Sequence, residues 1–287
     1  MDTVIIPCYK RPEYLSVWME ILQKSRLADK QFYIFCLDHG FDSYYLKILE
    51  NFPYPYGIVK TPYTRYRIGK QSFNVLNGLM VGAKHSSGLV HYIEEDVFIS
   101  RDYFEFHQEI HRQQKDIFCS IATKNNNSRF KTDGYLQHYY LSDRPDYQAL
   151  GSCFKKEMIY KIGTHFTNEY FENPVLYCRR HFPISVIGPY FVEQDGLIRR
   201  ILEREKLKVA FPHVPRAFHG GIYGYNRDRF SVKKMKFEER VEFIKQTAFN
   251  LEKLKSFHKN PDYVNDSVPV DLDTSFDYLE LVYTNPE

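Results

Sequence analysis

The stretch His91-Tyr92-Ile93-Glu94-Glu95-Asp96-Val97-Phe98-Ile99-Ser100 sets three consecutive carboxylates between two apolar runs, with no basic residue among them. Like charges gathered at the end of a buried strand repel one another and lose hydration, so the cluster is costly unless a cation sits on it. The chemistry that suits it is binding of a hard divalent ion, Mg2+ or Mn2+, whose shell is completed by substrate phosphates and water. A strand running into a solvated acidic turn would give the same triplet. A further carboxylate, Asp195, precedes the run Leu197-Ile198-Arg199-Arg200-Ile201-Leu202, where helix capping is one ready use for it. His219 stands beside Gly220-Gly221, where bare backbone lets an anion approach closely.

The elements that must position these groups are legible as alternating periods. Thr3-Val4-Ile5-Ile6-Pro7 reads as a short buried strand, Cys8 to Pro12 as a polar turn, and Tyr14 to Lys24 as an amphipathic helix. Gln31 to Leu37 repeats the strand and stops at Asp38-His39-Gly40; Phe73, Leu76, Leu79, Met80 and Ala83 mark another helix before a strand at Leu89 to Ile93. Strands alternating with helices at this spacing predict an α/β fold, a mostly parallel central sheet with helices on both faces. Ligands of such sheets collect at the carboxyl ends of the strands. Three polar clusters, Tyr9 to Arg11, Asp38, and Glu94 to Asp96, follow strands directly and are expected to converge there.

The 287 residues suffice for one large domain or one and a half, and 43% hydrophobic and 26% charged residues describe an ordinary globular chain. Aromatics are in excess. With 24 tyrosines and 23 phenylalanines, many should line a cleft where sugars or bases stack. A net charge of +3 is too small to name a polyanionic partner by itself. Five cysteines without a C-x-x-C pair point to reduced core residues rather than disulfides or zinc. No apolar run reaches the length of a membrane span, and Met1-Asp2-Thr3 leads straight into a strand, so a cytoplasmic protein without an integral membrane segment is expected. A long polar loop is expected from about Asn125 to Pro145, and a basic amphipathic helical region from Ser231 to about His258. Beyond Lys259 the chain carries several Asp and no Lys or Arg.

In order along the chain, three segments resemble the N-acetylglucosaminyltransferase I family of GT-A fold glycosyltransferases. Ile93 to Phe106 looks like that family's acidic metal motif and following helix. Ala149-Leu150-Gly151-Ser152-Cys153-Phe154, followed by Met158, resembles its Gly-rich substrate-side turn. Glu193 to Arg200, with Phe211-Pro212 and Pro215 to Gly221, resembles its catalytic acidic motif and closing strand. The resemblance implies a GT-A catalytic domain over residues 1–225 and leaves residues 226–287 as a C-terminal helical extension with an acidic tail. The family's acidic motif is flanked by tryptophans, whereas Gln194 and Leu197 stand here.

What the resemblance implies is a metal-dependent inverting hexosyltransferase using a UDP-sugar donor. Asp96 would bind the metal, with His219 on the metal or diphosphate; Glu95 would face the ribose and Glu94 the sugar. Pro7, Tyr9 and Arg11 would hold the uracil and pyrophosphate, and Asp38 the base or ribose. Arg11 as a plain surface charge fits the sequence equally. Gly151 and Ser152 would contact sugar or acceptor, and Asp195 would be the general base. Asn74, Asn77 and Lys70 reach the nucleotide or simply face water.

A hydroxymethylated pyrimidine in DNA is one acceptor that fits, because similar soluble enzymes, including the base J glucosyltransferase, act there. Arg129, Lys131, Arg227, Arg229, Lys233, Lys234 and Lys236 would offset phosphate charge. Tyr135, Tyr139, Tyr140, Tyr223 and Tyr225 would stack on a flipped base. A solvated basic helix face explains the same residues. Two rivals remain: a glycan or lipid-linked sugar acceptor, and a noncatalytic sugar-nucleotide-binding module.

Overall fold

The structure, a computed structural model, describes residues 1–61, 70–123, 139–142, 144, 146–212, 215–221 and 234–248. Its centre is an eight-stranded sheet: β1 (Asp2–Cys8), β2 (Gln31–Leu37), β3 (Tyr56–Lys60), β4 (Leu89–Tyr92), β6 (Ile117–Ile121), β7 (Tyr139–Ser142), β8 (Ser152–Lys155) and β9 (Lys208–Pro212). Across the sheet the order is β3-β2-β1-β4-β8-β6-β9-β7. Pairing is parallel from β3 through β4 and between β6 and β9, while β8 runs against both β4 and β6, and β7 against β9. Six strands therefore share one direction and two oppose it. The mostly parallel α/β architecture read from the sequence is what the chain adopts, and the two reversed strands are additions to it.

Strand alternation explains the two-sided core, since successive side chains point to opposite faces. Val4, Ile6, Cys8, Tyr33, Phe35 and Leu37 pack on one face, where α1 (Pro12–Leu22) and α2 (Tyr44–Leu49) contribute Tyr14, Trp18 and Tyr45. Ile5, Ile34, Cys36 and Val90 point the other way, against α3 (Lys70–His85), α5 (Lys156–Gly163) and α8 (Gln194–Glu205). The five cysteines are free and buried. Among the described residues no helix is long and apolar enough to cross a membrane.

The β1 to α1 connection fixes one important side chain. Only Tyr9, Lys10 and Arg11 separate the two elements, and Pro12 takes the first helical position, where its missing N–H costs nothing. A residue before proline is kept out of the helical region, and Arg11 accordingly has φ −138° and ψ 55°. Its side chain is thereby held at the carboxyl edge of the sheet.

A separate two-stranded ribbon pairs β5 (Val97–Ile99) antiparallel with β10 (Ala217–His219). Its register sets His219 opposite Val97, one residue beyond the acidic triplet. Arg216 locks that register: its Nε lies 3.0 Å from Asp102 Oδ2 at the start of α4 (Tyr103–Gln113), and its carbonyl accepts from the Ser100 amide at 2.9 Å. Further helices are α6 (Asn168–Glu172), α7 (Pro174–His181) and α9 (Phe237–Ala248). The last falls within the basic helical region expected from the sequence. It lies on α1 through buried Ile244 and the ion pairs Arg240–Glu13 at 2.9 Å and Lys245–Glu20 at 2.6 Å. Most of the expected polar loop, the remainder of the basic region and the acidic tail lie outside the described residues.

Candidate active site

β1, β2 and β4 are parallel neighbours, so their carboxyl ends deliver Arg11, Asp38 and the triplet Glu94-Glu95-Asp96 to one edge. All three carboxylates leave the sheet on the turn between β4 and β5, and Glu95 and Asp96 are each only 2% exposed. The cation that such burial demands comes in part from the chain itself. Arg11 reaches both residues, Nε to Glu95 Oε1 at 3.0 Å and Nη1 to Asp96 Oδ2 at 2.6 Å. His219 Nε2 approaches the same Asp96 Oδ2 at 3.3 Å. The other oxygen, Oδ1, is buried without a hydrogen-bond partner. Gly221 closes the ring: a Cβ there would lie 2.7 Å from Asp96 Oδ2 and 2.8 Å from His219 Nε2, so only glycine leaves both side chains in place.

Each carboxyl of the triplet has a distinct environment. Burial pushes Asp96 up, but the His219 hydrogen bond and the Arg11 charge outweigh it and hold the group down at about 2. Glu95 is raised to about 7 because burial exceeds the help of Arg11 and of the Tyr45 hydroxyl that donates to it. Glu94 is raised by burial and by the Asp96 charge, although Tyr92 donates to its Oε1 at 2.8 Å. Burial works against the Arg11 charge, and the two carboxylates more than compensate, so Arg11 is held firmly protonated.

Asp195 belongs to the same neighbourhood. It is the second residue of α8, not its cap; Glu193 occupies the cap position and makes no side-chain capping bond. The start of α8 is pinned to the start of α3, since Ser72 Oγ donates to Gln194 Oε1 at 2.5 Å and accepts from the Gln194 amide at 3.3 Å. As a whole Asp195 is half-buried, yet its Oδ1 is sealed from solvent and unpartnered. Burial first and the Glu94 charge second raise it to about 7, with Arg199 opposing. An isolated carboxyl poised near neutrality is suited to taking a proton.

The remaining expected residues occupy the surroundings. Half-buried Pro7 is paired with Cys36 inside β1, and Tyr9 is exposed at the strand end with Lys10 Nζ 5.0 Å over its ring. Asp38 is buried and accepts from the His39 amide at 2.7 Å. Gly151 turns at φ +69° into β8, and Ser152 is fully buried with its Oγ 3.3 Å from the Tyr147 hydroxyl. Ser152 also sits opposite Tyr92 in the sheet, which links it to Glu94. Asn74 does not face water: its Nδ2 donates to the Cys36 carbonyl at 2.9 Å and its Oδ1 accepts from Thr61, so it ties α3 to the end of β2. Tyr139 is buried, and half-buried Tyr140 stacks on Phe211 at 5.6 Å. Arg129, Lys131, Tyr135, Tyr223, Tyr225, Arg227, Arg229 and Lys233 lie outside the described residues.

Sequence reasoning missed the phenols. Tyr45 supports Glu95 and accepts from the Arg11 amide at 3.0 Å, Tyr92 supports Glu94, and Tyr147 feels the charges of Asp195 and Glu94. Nothing in the dipeptide Tyr44-Tyr45 distinguishes its members. Only the rotation of α2 buries the second and leaves the first exposed.

Among the described residues no three acidic, histidine or cysteine side chains converge closely enough to hold a metal alone. Asp96, with its orphaned Oδ1, and His219 fit the other kind of site, in which one or two protein ligands are completed by phosphate and water.

No protein-family profile matches the chain, and no curated protein matches it. Among solved structures, residues 1–349 of S. aureus TarS are 11% identical, with 99% of this chain and 81% of that one covered at a TM-score of 0.48. The mannosyltransferase PcManGT from Pyrobaculum calidifontis, in complex with GDP-Man and Mn2+, is 9% identical, covering 98% and 85% at 0.47. A 4-diphosphocytidyl-2C-methyl-D-erythritol synthase from Anaerococcus prevotii is 14% identical, covering 88% and 98% at 0.46.

Proposed function

We propose that the protein is an inverting glycosyltransferase of GT-A type that moves a hexose from a UDP-sugar to an acceptor hydroxyl. The observation that carries this reading is the division of labour between two carboxylates: Asp96, paired with Arg11 and approached by His219, and half-buried Asp195, whose Oδ1 is sealed without a partner and whose pKa is raised by burial. A binding module has no need of the second group.

In this reading the nucleotide lies over the ends of β1 and β2, against Pro7, Tyr9 and Asp38, with Glu95 toward the ribose and Glu94 toward the sugar. Asp96 and His219 would hold Mn2+ or Mg2+. When bound, such an ion supplies Lewis acidity to the departing diphosphate. The Asp195 carboxylate takes the proton of the acceptor hydroxyl as the acceptor oxygen bonds to the anomeric carbon. The bond from that carbon to the diphosphate breaks, and its electron pair leaves with the UDP. Base assistance of this kind contributes roughly 10²- to 10⁴-fold. Gly151 and Ser152 shape the sugar side, Ser152 through Tyr147.

For the acceptor, the basic and aromatic sequence around Lys234 and Lys236 supports the hydroxymethyl group of a modified DNA pyrimidine. One surface favours a second class, a lipid-linked sugar at a membrane face. Ile184, Val186 and Tyr190 are 94%, 81% and 80% exposed on the segment leading into α8, and exposed apolar side chains in a group mark a docking surface.

Labelled UDP-sugars should be incubated with Mn2+ and, in parallel, hydroxymethylated duplex, unmodified duplex and lipid-linked sugar. Transfer to one acceptor, abolished by chelation, is expected. Absence of donor binding and of donor hydrolysis across the panel, or turnover indifferent to chelation, refutes the proposal.

A further inference from the structure

Resting on the nucleotide-sugar reading, we infer that Arg11 is a resident counter-ion of Asp96 that gives way as a divalent ion binds there, its guanidinium then passing to the diphosphate. Arginine and metal are thus exchanged at one carboxylate.

The geometry sets the competition. Asp96 Oδ2 is occupied by Arg11 Nη1 at 2.6 Å and approached by His219 Nε2 at 3.3 Å. A divalent ion bonds oxygen at about 2.1 Å, so an ion on this oxygen and a guanidinium on the same oxygen would be like charges a few ångströms apart. The buried Oδ1 offers the ion a first foothold but only one ligand atom. Use of Oδ2 as well therefore sets the ion against the guanidinium.

The Arg11 backbone is held independently of its side chain. It is fixed by Pro12 and by the hydrogen bond that the Arg11 amide donates to the Tyr45 hydroxyl, while the side chain keeps 23% exposure. The Tyr14 ring lies 5.1 Å from the guanidinium carbon, a cation–π neighbour on the apolar side. The planar fork that spans Glu95 and Asp96 matches two phosphate oxygens equally well. A diphosphate thus draws Arg11 off Asp96, the ion relieves the carboxylate that Arg11 abandons, and each ligand assists the other. Such coupling is reciprocal by necessity.

The test is Mn2+ binding to the full-length protein, followed by calorimetry and by the electron paramagnetic resonance signal of free Mn2+, with and without UDP. Wild type is expected to bind Mn2+ weakly alone and at least about tenfold more tightly with UDP, within the usual range of binding coupling. Arg11→Met should bind Mn2+ alone at least tenfold more tightly than wild type and lose most of the enhancement by UDP. Arg11→Lys, which keeps the charge without the fork, should fall between and serves if the Met variant does not fold. Asp96→Asn should remove Mn2+ binding in either background. Unchanged or weaker Mn2+ binding in both Arg11 variants, or an undiminished UDP effect, overturns the exchange. If UDP binds neither protein while Arg11→Met still gains Mn2+ affinity, the exchange stands and the donor assignment fails. If UDP and Mn2+ bind together and Arg11 substitution changes nothing, the reverse holds.

Discussion

Replacing Asp195 by asparagine should make the protein more stable and less active, and the two effects should share one pH dependence. The carboxyl sits at about 7 in the folded chain, raised by burial and then by Glu94, against about 3.9 for an unstructured aspartate. Because the folded value is the higher one, the group's contribution to stability is fully present below about pH 4 and is lost as the pH rises through 7. Roughly three pH units of difference correspond to a ceiling on the order of 4 kcal/mol at pH 8, reduced by whatever water reaches the half-buried side chain. Asp195→Asn escapes that loss. An ordinary first-turn carboxylate would behave oppositely, because losing its favourable interaction with the helix dipole costs about 0.3–1 kcal/mol.

Urea denaturation of both proteins at pH 5 and pH 8 reads the sign directly. Steady-state assays supply the second half. Wild-type kcat/KM should climb about tenfold per unit below pH 7 and level off above it, as expected for a base that must be deprotonated. Asp195→Asn should lose roughly 10²- to 10⁴-fold and the pH limb with it. Glu94→Gln, which removes the second cause of the raised value, should move the wild-type limb to lower pH. A variant less stable than wild type at pH 8, or one that keeps the limb, refutes the reasoning.

A buried histidine cluster governs acid stability: His107 Nδ1 is 2.6 Å from Ser120 Oγ, which lies 3.1 Å from His111 Nε2, and His91 packs on the His107 ring. Burial lowers His91 to about 3 and His111 to about 4, and lowers His107 as well, so stability is present above about pH 6.5 and falls toward pH 5 by about 1.4 kcal/mol per unit for each histidine. Urea midpoints for wild type and His107→Asn over that window should show a shallower slope in the variant; parallel curves would dismiss the cluster. Tyr45→Phe deprives buried Glu95 and the Arg11 amide of a shared partner and should cost about 1–3 kcal/mol in urea unfolding, with a cost below about 0.5 kcal/mol counting against the role. Gly221→Ala drives a methyl between Asp96 and His219 and should weaken joint Mn2+ and UDP binding at least about tenfold by calorimetry while circular dichroism stays native; undiminished binding would remove Gly221 from the site.

The sheet edge was legible because its strands are continuous apolar runs ended by polar residues, and a parallel arrangement brings such ends together whatever the loops do. β1, β2 and β4 fall where the runs of Thr3, Gln31 and Leu89 predict them. The reversal of β8 was not legible. Four residues, Ser152–Lys155, carry no mark of direction, and their antiparallel pairing with both β4 and β6 is settled by tertiary contacts alone. The phenols escaped for the same reason, because the burial of Tyr45 depends on the docking of α2 and not on any local period. The acidic triplet is the instructive case. Its cost was evident from the window 91–100, which contains no Lys or Arg, but electrostatic compensation does not respect windows. A strand, three residues and a proline bring Arg11 across 85 positions onto Asp96. The repulsion that makes three adjoining carboxylates, two of them buried, call for a divalent ion equally requires a positive charge whenever that ion is away. A site of this kind should therefore carry its own cation, and the ion's affinity should be set as much by the strength with which Arg11 holds Asp96 as by the ligands it gains.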